Sequence, residues 1–199
     1  MVYAFKNLDM LILIILWLLF FILHSLLAAT KTKVFFAKVL KDNFNYYRLI
    51  YNIISLILML LIVGQLWRME SENIFDSTTF FQFMGGTLLA AGLYVVNAAF
   101  KRIDFWAFLG FNMQDDSPTG LITEGWYKVV RHPLYWGTFL ILNGIFFLKP
   151  TVPMLISVLL SIVYIIIGIE FEEKKLRQTF GRAYDDYAFG KKKFIPFIY

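Results

Sequence analysis

Five apolar stretches separated by short polar segments decide what this chain can become. They run from about Leu8 to Ala29, Tyr46 to Trp67, Thr79 to Phe100, Leu134 to Leu148 and Met154 to Ile169. The first three reach the roughly 20 residues that the hydrocarbon core of a bilayer demands. The last two are shorter and are separated only by Lys149-Pro150-Thr151-Val152-Pro153. They read as a helical hairpin that either crosses with help from its flanks or dips in and returns. The fold class that follows is all-α: a polytopic membrane protein with about five transmembrane helices, the last two forming a short hairpin. A soluble alternative fails on composition. Of 199 residues 59% are hydrophobic and only 17% charged, against about a quarter charged in a soluble domain, and a chain this short cannot bury so much apolar surface. Cysteine is absent, which excludes disulfides, thiolate metal sites, c-type haem attachment and a cysteine nucleophile.

The charges give an orientation. With the N-terminus outside, the inner segments hold Lys31, Lys33, Lys38, Lys41, Arg48, Lys101, Arg102, Lys128, Arg131, Lys174, Lys175, Arg177, Arg182, Lys191, Lys192 and Lys193, which is sixteen of the 19 basic residues. Lys6, Arg68 and Lys149 are left outside. Basic residues collect on the cytoplasmic side of membrane proteins, so the expectation is N-out and C-in, in a bacterial inner membrane, with the functional face cytosolic. The +5 net charge then needs no nucleic-acid partner. The first stretch is too long for a usual signal peptide, and its strongest positive charge follows the apolar run; it reads as a retained span. The expected organisation is one membrane domain over 1–199: helices one to three with an inner interfacial segment (1–119), a motif-rich region (120–190) and a basic aromatic tail (191–199).

Polar residues within the spans are few. A proton-coupled transporter needs ionisable groups at membrane depth and often an internal repeat, and neither is visible. His24, Ser25, Tyr47, Arg48, Tyr51, Asn52 and Asn97 gather toward the inner ends of spans one to three. They suit interhelical hydrogen bonding; His24 equally suits a functional role.

Two segments carry chemistry. The first is Gly120 to Gly137, containing Tyr127, Arg131-His132-Pro133, Tyr135 and Trp136. Pro133 suits the first position of a helix, whose free N–H groups favour an anion. Arg131 and His132 add donors there, and the tyrosine and tryptophan faces attract a sulfonium or ammonium. Gly137 and Gly144 share a helix face, where small residues admit a ligand or a neighbouring helix. The second is Glu170 to Gly181, with Glu170, Glu172 and Glu173 beside the membrane and Glu173 and Arg177 spaced one turn apart in the favourable order. Its plain reading is a solvated helix end; its functional reading is a carboxylate site for a cation or ribose hydroxyls. S-adenosylmethionine carries groups that suit both segments.

Together the segments resemble the integral membrane methyltransferase superfamily, which includes isoprenylcysteine carboxyl methyltransferases and phospholipid methyltransferases. The matching pattern is Gly125-x-Tyr127, Arg131-His132-Pro133-x-Tyr135-x-Gly137, then Glu172-Glu173, Leu176, Phe180-Gly181, Tyr184 and Tyr187. His24-Ser25-Leu26-Leu27-Ala28, Asn97, Arg102-Ile-Asp104-Phe and Leu109-Gly110 look like the methanethiol S-methyltransferase and NnrU-like branch. Trp126 departs from the proline of many relatives. The resemblance implies S-adenosylmethionine as cofactor, with Tyr127, His132, Tyr135, Gly137, Glu172 and Glu173 around it and no metal. Arg131 either holds a substrate carboxylate or anchors its loop. His24 is the candidate general base for a thiol acceptor, and the Phe105–Phe111 stretch could roof the site. The implied acceptor is a small thiol or another lipophile that reaches the site through the bilayer. Two rivals are a non-catalytic NnrU-like accessory protein and a haem protein ligated by His24 and His132.

Overall fold

A computed structural model describes residues 2–103, 106, 109, 120–196 and 198, with the backbone alone at 2–6. Its elements are α1 (Val2–Ala28), α2 (Thr30–Leu40), a 3-10 turn (Lys41–Tyr46), α3 (Tyr47–Arg68), α4 (Thr79–Phe100), a second 3-10 turn (Gly125–Lys128), α5 (Pro133–Leu148), α6 (Val152–Phe180) and α7 (Arg182–Ala188). Among the described residues there is no strand, and only isolated bridges join Asn73 to Thr151 and Val130 to Lys192.

By length and apolar composition, four helical segments can cross a membrane: Asn7–Ala28, Thr30–Arg68, Thr79–Phe100 and Val152–Phe180. The expected count of five includes α5, which at 16 residues falls short of a span by its own length. The helix of the fifth apolar stretch runs on into the Glu170 segment, as expected, and stops at Gly181. As α6 it continues without a break through Glu170–Phe180 and reaches 29 residues, because Glu, Lys, Leu, Arg and Gln all favour helix. The segment after Ala28 holds one more helix than the apolar pattern showed, the 11-residue α2.

The chain divides into two compact units, Met1–Glu72 with Phe105–Asp115, and Asn73–Asp104 with Asp116–Tyr199. In the first, α1 and α3 pack together. Gln65 donates to the Asp9 carbonyl at 3.2 Å, His24 meets Ser55 at 3.2 Å, and the Tyr47 hydroxyl donates to the Leu27 carbonyl at 2.8 Å. Rising numbers on α1 meet falling numbers on α3, so the two helices are antiparallel. Leu13, Trp17 and Ile62 fill the seam, while Leu11, Leu18, Leu56 and Leu60 face outward, as lipid-facing residues do.

In the second unit α4 and α5 are the most extensively packed pair. A Cβ on Gly92 would meet the Gly137 carbonyl oxygen at 2.7 Å, and one on Gly144 would meet the Leu89 nitrogen at 2.6 Å. Only glycine permits this backbone-to-backbone approach. At the turn between α5 and α6 the Ile74 N–H donates to the Pro150 carbonyl at 2.7 Å, and the rings of Phe75, Phe81 and Phe147 pack against one another. The chemistry-bearing segments lie at the opposite end of this hairpin.

Candidate active site

Gly125, at φ 63°, opens the short turn that carries Trp126 and Tyr127, and a side chain there would be strained. The chain then runs beside the tail. Arg131 N–H donates to the Lys192 carbonyl and His132 N–H to the Lys193 carbonyl, both at 3.0 Å. Phe194 anchors the tail by burying itself against Ile165, Ile169, Trp136 and Phe139. Pro133 begins α5, as its fixed φ and missing N–H dictate. His132 is thereby held at the helix start with its side chain only 2% exposed.

Its partner is Glu173, on α6 and 1% exposed. One carboxylate oxygen, Oε1, accepts from His132 Nε2 at 3.0 Å and from the Tyr184 hydroxyl at 2.5 Å. The other, Oε2, accepts from Arg131 Nη1 at 2.9 Å and Arg177 Nη2 at 3.1 Å. Arg177 also reaches Asp185 at 3.3 Å and lies over the Tyr184 ring. A buried carboxylate is tolerated only when paired and hydrogen-bonded, and this one has four donors. Glu172 differs: its side chain is 44% exposed and approaches His132 Nδ1 at 3.6 Å. Burial alone would lower the His132 pKa, but hydrogen bonds to Glu172 and Glu173, and their negative charge, outweigh it and hold the imidazole above its ordinary value. The Tyr127 hydroxyl is pushed up to about 12, first by burial and then by the Glu172 charge. The Tyr187 hydroxyl donates to the Tyr127 carbonyl at 2.8 Å.

The second unit thus brings Arg131, His132, Glu172 and Glu173 into one cluster, with Tyr135 beside it, its ring 5.8 Å from that of His132. Gly137 sits differently. A Cβ there would meet Val96 at 2.6 Å and the Gly92 carbonyl at 3.0 Å, so its open side is spent on admitting α4. His24 belongs to the first unit, where Tyr51 and Ser55 contact its ring nitrogens at 3.1–3.2 Å and Phe20 stacks on it. Of the Phe105–Phe111 stretch only Trp106 and Leu109 are described; the rest, with Asp104 and Gly110, lies outside the described residues. The Leu109 carbonyl accepts from Asn52 at 2.8 Å.

Sequence reasoning missed the roles of Tyr184 and of the Lys192 and Lys193 carbonyls. Tyr184 stood in the matching pattern, but Gly181, at φ 52°, turns the chain back, and only that reversal brings the hydroxyl to Glu173. A groove of about 560 Å³ lined by Tyr94, Ala98, Lys101, Arg102, Gly125, Trp126 and Val129 flanks the 3-10 turn, with Arg102 paired to Glu124 at 3.0 Å.

A family model described as phospholipid methyltransferase matches residues 80–183. The chain belongs to the phospholipid methyltransferase family. It is similar to the methanethiol S-methyltransferase of Crocosphaera subtropica, at 26% identity over 90% of this chain and 72% of that protein. Similarity to methanethiol S-methyltransferase 2 of Bradyrhizobium diazoefficiens is 28% over 91% and 71%. Protein-S-isoprenylcysteine O-methyltransferase B of Arabidopsis thaliana shares 33% over 39% of this chain and 40% of its own length. No solved structure matches. The protein is therefore a methyltransferase, in a family that fits its membrane-crossing helices, and the cluster around Glu173 falls within the matched family region apart from its partners beyond residue 183.

Proposed function

We propose that this phospholipid methyltransferase family member moves a methyl group from S-adenosylmethionine to a small thiol or another lipophilic acceptor at the cytosolic face of a membrane. The observation that carries this reading is the meeting of the Arg131–His132 turn with Glu172 and Glu173, at 2.9 to 3.6 Å. The donor set fits such a cofactor. Arg131 Nε is buried with no hydrogen-bond partner among the described residues, and a carboxylate such as that of a methionine group would satisfy it. Glu172, the exposed carboxylate, would take ribose hydroxyls or the ammonium, and Tyr127 and Tyr135 would offer aromatic faces to the sulfonium. When bound, S-adenosylmethionine supplies an electrophilic methyl group on a positively charged sulfur.

The protein's own contribution is alignment and exclusion of water. Orientation of two reactants is worth several kcal/mol, up to about 7–11 in favourable cases, and no covalent intermediate is needed. His132 is a holder instead of a free base, since its Nε2 is engaged with Glu173 Oε1 at 3.0 Å and the two neighbouring carboxylates favour its charged form. Within the first unit His24 is the residue we assign to take the proton of a thiol acceptor at a ring nitrogen. The relatives named for methanethiol make that thiol the first acceptor to try. The positive-inside count argues for an N-out, C-in arrangement in which α5 and α6 cross as a pair, making five spans.

The test is calorimetric binding of S-adenosylhomocysteine to the folded protein in detergent, followed by transfer of radiolabelled methyl to methanethiol, to an isoprenylcysteine acid and to lipid extracts. Binding with micromolar-range affinity is expected. A folded protein that does not bind overturns the reading.

A further inference from the structure

We propose that Tyr184 and Arg177 are positioning residues that fix the Glu173 carboxylate, one on each oxygen, and through it orient His132 toward the ligand side. This rests on the cofactor reading above and deepens it. Tyr184 is 1% exposed, and its hydroxyl lies on Oε1, the oxygen that also accepts from His132 Nε2. Arg177 lies on Oε2 beside Arg131. A carboxylate can accept about four hydrogen bonds, and all four places on Glu173 are taken by the protein. Glu173 therefore has no acceptor left for a ligand. Its work is to hold the His132 ring by Nε2, so that Nδ1 is turned to the exposed Glu172.

Tyr184 is suited to this because its own place is fixed. The Gly181 turn carries α7 back over α6. Tyr187, one turn further along α7, ties the same helix to the Tyr127 carbonyl, and the Tyr184 and Tyr187 rings pack 5.9 Å apart. Among the described residues, Glu172 and Glu173 of α6 act on the His132 charge, Arg131 precedes it in the chain, Tyr135 of α5 lies against its ring, and Arg177 of α6 and Tyr184 of α7 lie on Glu173. Lys193 of the tail contributes its backbone carbonyl, and its ammonium is paired with Glu170. Of these, Tyr184 and Arg177 reach the cluster by hydrogen bonds to Glu173.

Two measurements test the proposal. The chain has 2 histidines, so a histidine-labelled sample gives two titrating imidazoles by NMR, separated by His24→Gln. In Tyr184→Phe the His132 midpoint is expected to fall toward its ordinary 6.5, because Glu173 is no longer held against the ring. An unchanged midpoint, or a rise from lost competition for the carboxylate, overturns the proposal. Arg177→Lys, which keeps the charge of this half-exposed side chain but loses the guanidinium that spans Glu173 and Asp185, is expected to act in the same direction and serves if Tyr184→Phe fails to fold. In the second measurement Tyr184→Phe weakens S-adenosylhomocysteine binding about tenfold, the scale of one charge-assisted hydrogen bond. Added to Glu173→Gln it produces no further loss, since both act through one group. Additive losses overturn the positioning role. If the unaltered protein binds no S-adenosylhomocysteine, the cofactor reading fails, and the imidazole titration still decides the positioning role.

Discussion

The two units bury opposite things. Between α1 and α3 the buried side chains include Leu13, Trp17, Tyr47, Ile62 and the neutral Gln65, and the polar ties include single hydrogen bonds such as that of the Tyr47 hydroxyl to the Leu27 carbonyl. At the end of the α5–α6 hairpin, a carboxylate, an imidazole and two guanidiniums are drawn together, with the carboxylate and imidazole almost fully enclosed. The family match begins at residue 80 and leaves α1 to α3 outside it. The difference separates two kinds of constraint. Lipid contact asks of α1 and α3 little beyond apolar side chains, whereas the charged cluster demands specific partners at fixed distances.

That contrast can be broken by substitution. The largest effect is expected for Glu173→Leu, which leaves Arg131 and His132 enclosed without their counter-charge. Losing one member of a buried ion pair costs about 3–5 kcal/mol, so thermal unfolding in detergent should move down by many degrees; an unchanged midpoint would show that the cluster is solvated. Next comes Gly144→Ala, which forces a Cβ to within 2.6 Å of the α4 backbone and should cost about 1–3 kcal/mol by overpacking, with S-adenosylhomocysteine affinity less affected than stability. His24→Ala tests the quieter unit. Interhelical hydrogen bonds in membranes average about 0.6 kcal/mol, so stability should hardly change, while transfer to a thiol should fall and S-adenosylhomocysteine binding should persist.

The smallest effect is a slope with pH. His132 holds its proton more tightly in the folded protein than in the unfolded chain, so its stabilisation is complete below the ordinary 6.5 and fades as pH climbs through the raised folded value. Unfolding midpoints measured from pH 6 upward should decline, and His132→Gln should flatten that decline.

Much of this was legible in the sequence. Apolar runs gave the helices, and Pro133 gave the start of α5. The pairing of the Arg131–His132 segment with Glu172–Glu173 followed from chemistry and resemblance together. What escaped was the difference between the two glutamates. Adjacent residues on a helix look alike in a pattern of charges, and only the turn at Gly181 and the return of the tail reveal which one is enclosed. Gly137 stood between two readings, a ligand or a neighbouring helix, because a glycine announces close approach without saying what approaches, and α4 is what approaches. The helical nature of Thr30–Leu40 was hidden because its basic residues dilute the apolar signal.

The turn between α5 and α6 has a consequence for membrane thickness. Sixteen helical residues rise about 24 Å, several ångström less than a hydrocarbon core of about 30 Å. In the proposed arrangement, with α5 starting at one boundary, the turn at Lys149–Thr151 would fall short of the opposite headgroups, where an unpaired peptide group costs several kcal/mol. The Ile74 to Pro150 hydrogen bond and the Asn73–Thr151 bridge cover that turn with protein backbone, so a helix too short for the bilayer can end inside it, and a thinner bilayer should suit this protein better than a thick one.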